Sequence, residues 1–253
     1  QKSKTANNFL YKYFYESFYR YAEYIHCPTQ FIADTLKKHG YEADMRVISN
    51  GVDPIYKPEK EEKPADLEGK FCILTTGRLT KEKCQSDLLK AVKQSRYSDR
   101  IQVFIAGDGP LRNKLERMGK KLRNRPEIAF LPKEELAKRI NYSDLYVHTS
   151  YAETESIAGV EASTGGLVPV IANSEMSAAR CFALSEDDLY SSGNIGAHAE
   201  KIDRMIENPR LRKDLRSRYI EFAEQFRIEK CIDRMEEMFE DAIAHRHPEN
   251  ARG

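Results

Sequence analysis

From Lys70 onward, apolar β-branched runs alternate with stretches whose apolar residues recur every three or four positions. The runs predict strands at 71–75, 101–106, 128–131, 144–148 and 168–172. The periodic stretches between them predict helices at about 83–95, 110–122, 133–141 and 157–165. Val103-Phe104-Ile105-Ala106 is apolar throughout, as suits a strand covered on both faces. This alternation points to an α/β fold, a Rossmann-like parallel sheet with helices on both faces. Three more helices close the chain at about 196–207, 209–226 and 228–245, with Asn208-Pro209 marking one boundary.

Upstream of Lys70 the pattern changes. Nine aromatic residues fall within the first 25, and Tyr11, Phe14, Tyr15, Phe18, Ala22 and Ile25 share one helical face. That stripe predicts an N-terminal helical segment packed on a neighbouring domain or subunit. A helix lying on a membrane surface is the sharper alternative, and pairing with a second copy would give a homodimer. Tyr24–Cys27 then reads as a short strand closed by Pro28, and Thr29 is placed to cap a helix ending near His39, with Gly40 behind it. Val47-Ile48 reads as a second short strand before an Asn50-Gly51 turn. Residues 53–69, with three prolines and the charged run Glu59–Lys63, read as an exposed linker.

Composition narrows the partners. The 253 residues carry 41 Lys+Arg against 40 Asp+Glu, a net charge of +1, which argues against nucleic-acid binding by bulk phosphate neutralisation. No apolar run approaches the ~18 residues of a membrane span, and the first residues do not form a basic-then-apolar leader. The five cysteines are scattered, as in proteins of a reducing, cytoplasmic compartment. Only His245 and His247 approach metal-ligand spacing, and they sit in a polar tail, so no metal site is expected.

In an open parallel sheet, ligands bind beyond the carboxyl ends of the strands. Three groups lie at that edge. Gly77-Arg78-Leu79-Thr80-Lys81-Glu82-Lys83 brings two cations, Arg78 and Lys83, to a helix start whose dipole favours an anion such as a diphosphate. Ala106-Gly107-Asp108-Gly109-Pro110 reads first as a structural strand-to-helix turn. Glu161 falls in an otherwise small and apolar helix, where a carboxylate needs hydrogen-bond donors such as ribose hydroxyls. Glu153 precedes it by eight positions, and the amides of residues 156–159 open the helix between them.

These residues, in this order, resemble the C-terminal half of GT-B glycosyltransferases of the retaining group 1 class, family 4. The resemblance rests on Gly-Arg-Leu-x-x-Glu-Lys, Gly-Asp-Gly-Pro, Glu-x7-Glu and Gly-x-x-Pro-Val-Ile-Ala, and covers roughly residues 22–245. It implies that 1–50 belong with an N-terminal half lying outside this chain, that 51–245 form the nucleotide-sugar-binding domain, and that 246–253 are a disordered tail. It also implies a retaining hexosyltransferase using a nucleotide-sugar donor, most often a UDP-sugar, with no cofactor and no metal. The acceptor would be a glycan or glycolipid of the cell envelope, at the inner face of a membrane, and the acceptor half would be needed for activity. Arg78 and Lys83 match the diphosphate-binding cations, Glu153 the sugar-binding glutamate, which is counted with them as catalytic, and Glu161 the ribose-binding one. Gly77, Gly107, Leu131, Ser156, Ile157 and Ala158 complete the implied donor site, with the base near Phe130–Lys133. Two positions depart from the family pattern. Thr154-Glu155-Ser156 stands where Gly-aromatic-Gly is usual, which predicts a negative charge beside the diphosphate, and Cys84 stands where Gly is usual. The first departure favours a degenerate binding module as an alternative, and a nucleotide-sugar epimerase is another.

Overall fold

The computed structural model describes Tyr13, Ser17 and residues 21–246. The predicted N-terminal aromatic helix lies almost wholly outside the described residues, as do residues 247–253 of the predicted tail, whose first residue, Arg246, instead ends the last helix. A parallel pair, β1 (Tyr24–Cys27) and β2 (Asp44–Val47), brackets helix α1 (Gln30–Lys38). Thr29 caps α1 by accepting from the Ile32 amide, and Gly40, at φ 81°, follows its end.

The main sheet has six strands: β3 (Phe71–Thr76), β4 (Ile101–Ala106), β5 (Glu127–Ala129), β6 (Leu145–His148), β8 (Pro169–Asn173) and β10 (Leu189–Ser191). Their order is β10-β8-β6-β3-β4-β5, and every pair is parallel. The helices are α2 (Gln85–Gln94), α3 (Arg112–Gly119), α4 (Lys133–Tyr142), α5 (Ile157–Thr164), α6 (Ile195–Glu207), α7 (Pro209–Ala223) and α8 (Ile228–Arg246). Two-residue strands β7 (Ala152–Glu153) and β9 (Met176–Ser177) pair beyond the sheet.

The two-residue period of a strand divides the core. Phe71, Ile73, Ile101, Val103 and Ile105 face a layer built from α2, α3 and α6, where Leu88, Leu115 and Ile202 are fully buried. Cys72, Leu74, Phe104 and Ala106 face the opposite layer, with Ala137 and Ile140 of α4 and Val160 and Ala162 of α5. Each such aliphatic side chain contributes about 1.5–3 kcal/mol by leaving water.

Several elements differ from the sequence reading, among them strand 128–131, which is Glu127–Ala129, and helix 209–226, which ends at Ala223. The second short strand is Asp44–Val47 rather than Val47-Ile48, because it takes its register from β1. Helix α2 starts at Gln85, since Cys84 is left-handed at φ 51°. Helix α3 stops at Gly119, where a Cβ would lie 2.4 Å from the Pro126 ring. Strand β10 was not predicted: it has three residues, only Tyr190 of which is buried, too few to show a period.

Candidate functional site

The strand order reverses between β3 and β6, so the crevice of this sheet opens at their carboxyl ends. Lys83 arrives there from the loop after β3 and Glu153 from the loop after β6. Lys83 Nζ lies 2.6 and 2.8 Å from the two Glu153 carboxylate oxygens. The side chains are only 18% and 14% exposed, so the pair is weakly screened. The two loops are joined further: Thr149 Oγ1 donates to the Lys83 carbonyl at 2.5 Å, and the Tyr151 amide to the Glu82 carbonyl at 3.0 Å. Gln85 Nε2 holds the Arg78 carbonyl at 2.9 Å, leaving the Arg78 side chain exposed at the rim.

The glycines act through close approach. A Cβ on Gly107 would lie 2.0 Å from the Gly77 carbonyl oxygen, and one on Gly109 2.8 Å from Leu79 backbone atoms. The Gly77 and Gly107 amides donate to the Ala106 and Ala129 carbonyls, continuing the sheet. These glycines therefore shape the crevice floor by letting two loops touch.

Helix α5 begins beside the Lys83–Glu153 pair. Ser156, left-handed at φ 70°, precedes it, and the first amide bonds within the helix are Gly159 and Val160 to the Ser156 carbonyl. The Ile157 and Ala158 amides therefore stand at the positive end of the helix. The Ser156 hydroxyl sits 3.3 Å from Nδ1 of buried His148. Burial, assisted by the Lys83 charge, pushes the His148 pKa down to about 3, so its ring is neutral at physiological pH.

The Glu155 expectation is corrected. Its carboxylate is buried and engaged by the Ser49 hydroxyl, the Asn50 amide at 2.9 Å and the Asn50 side chain. It is a structural anchor, not a charge facing an incoming anion.

Glu161 is half-buried on α5. Loss of hydration pushes its pKa up to about 7, against the opposing pull of Lys133 and with some help from Asp53. Lys133 and Asp53 are themselves paired at 2.7 Å. Leu131 packs partly on the core while Phe130 is 74% exposed, so the loop after β5 offers an open aromatic face.

A model of the family described as Glycosyl transferases group 1 matches residues 57–226, about two thirds of the chain. The chain belongs to this family. A second model, Glycosyltransferase Family 4, matches residues 1–55. The catalytic domain of cholesterol-alpha-glucosyltransferase from Helicobacter pylori is 38% identical to this group 1 glycosyltransferase, with a TM-score of 0.60, covering 62% of this chain and 98% of that one. Alpha-monoglucosyldiacylglycerol synthase of Streptococcus pneumoniae is 26% identical over 176 residues. That match covers 64% of this chain, which spans about 40% of the curated relative. The structure of Anabaena Alr3699/HepE with UDP-glucose aligns over 88% of this chain and 65% of its own, at 22% identity and a TM-score of 0.75, and shares the GT-B fold.

Of the residues singled out in this glycosyltransferase, the fold brings Gly77, Lys83, Glu153, Ser156, Ile157 and Ala158 to the β3–β6 crevice. Arg78 lies at its rim, Gly107 beneath it, and Glu161 and Leu131 on the side facing the β5 loop. Sequence reasoning missed His148, the Asp53–Lys133 bridge and the Glu155 anchor. The partners in the last two lie 80 and about 105 positions away, beyond the reach of any local pattern, and His148, 8 positions from Ser156, reads in the sequence only as the end of a buried strand.

Proposed function

We propose that this chain carries the donor site of a retaining glucosyltransferase that moves a hexose from a UDP-sugar to a lipid hydroxyl. The Lys83–Glu153 pair beside the α5 N-terminus is the observation that carries the reading. An incoming diphosphate would take the Lys83 ammonium, assisted by Arg78 and the Ile157 and Ala158 amides. Glu153 would then be released to accept sugar hydroxyls, and Glu161 those of the ribose. The base would lie against the loop at Phe130–Lys133. Cations and helix dipole stabilise the charge that develops on the departing diphosphate, with no metal invoked. The bond from the anomeric carbon to the phosphate oxygen breaks as the acceptor oxygen bonds on the same face. The acceptor proton passes to that phosphate oxygen.

Two relatives, one named as a cholesterol-alpha-glucosyltransferase and one as an alpha-monoglucosyldiacylglycerol synthase, carry "alpha" in their names, and an α-linked product made from an α-linked UDP-sugar would be transfer with retention. Those names also favour a lipid acceptor, which would place the work at a membrane surface. No described helix is long and apolar enough to cross a membrane.

Calorimetric titration of the chain with UDP and UMP tests the donor site. UDP should bind more tightly than UMP, and Lys83→Ala should erase most of the difference. Equal affinities for UDP and UMP in the unaltered chain would end the diphosphate assignment. For the complete protein, product formed from UDP-glucose with diacylglycerol or cholesterol vesicles should have the α configuration by its anomeric proton coupling. A β-linked product would refute retention.

A further inference from the structure

The loop bearing Glu153 is held from behind by residues more than a hundred positions away. Glu155 is 4% exposed, and its carboxylate receives bonds from the Ser49 hydroxyl and from both the backbone and side-chain amides of Asn50. One residue earlier, the Thr154 carbonyl accepts from Thr29 Oγ1 at 2.9 Å. One residue later, Ser156 is held at φ 70° and starts α5. The loop thus cannot shift without breaking charge-assisted bonds in a buried setting.

The far side of the same turn is fastened as well. The Val52 amide donates to the Phe226 carbonyl at 2.7 Å, and the Ile228 amide to the Val52 carbonyl at 3.2 Å. Gly51 presses on Ile228, where a Cβ would come within 2.6 Å of the side chain and 2.8 Å of the Cα. The two family matches meet between residues 55 and 57, and the longer one stops at 226. The 49–52 turn and the 226–228 crossing therefore lie at the two seams of the chain, and Glu155 joins them to the crevice.

We propose that Glu155 is a positioning residue that couples the crevice loop to these seams through Ser49 and Asn50. It holds Glu153 and the α5 amides in register for the nucleotide-sugar and touches no ligand itself. A displacement of the 49–52 turn would carry the loop with it, so occupancy of the donor site and the position of the seams would be linked.

The proposal rests on the donor-site reading above, and its test has one arm that does not. In the unliganded 253-residue chain, hydrogen exchange of Glu155→Ala and the milder Ser49→Ala should quicken at residues 153–160 and 49–52. Exchange in β3, β4 and β6 should be unchanged. In the second arm, UDP affinity should fall about tenfold in Glu155→Ala and less in Ser49→Ala, with the double variant no worse than Glu155→Ala. A bond that merely stabilises the fold would lower Tm and leave UDP affinity alone. Unchanged exchange in the loop, or faster exchange spread over the whole sheet, would overturn the proposal. So would a UDP affinity within twofold of the unaltered chain in both variants. If the unaltered chain binds no UDP, the donor reading fails, and the exchange arm alone decides whether Glu155 couples loop and seam.

Discussion

Glu161 shows how one side chain's surroundings set a measurable property. Its folded pKa is pushed to about 7, above its ordinary 4.5, chiefly by burial. The fold therefore favours the protonated carboxyl, and stability should decline as pH rises from about 4.5 through 7, where the unfolded chain has already lost that proton. Hydroxyls donated by a ribose would favour the carboxylate and expel the proton. UDP affinity should accordingly climb between about pH 6 and 8, and Glu161→Gln should flatten the profile in calorimetric titrations. Cys84 offers a second case. It holds φ 51° where glycine would be unstrained, so Cys84→Gly should raise stability by about 0.5–1 kcal/mol in urea unfolding. Lys83 is the third: in the complete protein, Lys83→Ala should lower kcat by about 10²-fold or more, because in the function proposed above its charge would meet the diphosphate as the bond breaks. A variant turning over at the unaltered rate would remove Lys83 from the chemistry.

At the scale of elements, the two glycine loops and the start of α5 act as one piece. The loops after β3 and β4 touch backbone to backbone at Gly77 and Gly107, with no room for a methyl group. Gly107→Ala should push the Gly77–Lys83 loop out of place and cost about 1–3 kcal/mol, read as a lower urea midpoint together with weaker UDP binding. The element boundaries most legible from sequence were those with strong local causes, such as the Thr29 cap and the apolar run of β4. Helix α2 begins later than its periodicity suggests because cysteine by itself does not favour the left-handed region, and only the glycine usual at position 84 hints at it. Strand β10 was missed because its three residues are strand only by virtue of pairing with β8.

For the whole molecule, the site is a property of the strand order. Lys83 and Glu153 are 70 residues apart and meet because β3 and β6 are neighbours at the reversal point. Ligand binding there should stabilise the whole sheet by mass action. UDP at about a hundred times its Kd should add about 2.7 kcal/mol and raise Tm, and Lys83→Ala should shrink that shift in thermal scans.

The amino-acid sequence by itself determined the α/β class, the alternation of buried strands and amphipathic helices, and the residue types gathered at the carboxyl edge. Those follow from local periodicity and from short motifs, which a chain carries wherever it folds. Only the tertiary structure decided that Lys83 pairs with Glu153, that Glu155 turns to Ser49 and Asn50, and that Glu161 is desolvated enough to titrate near neutrality. Each depends on which distant segments share a boundary and how much water they exclude, and neither quantity is written in any local stretch of residues.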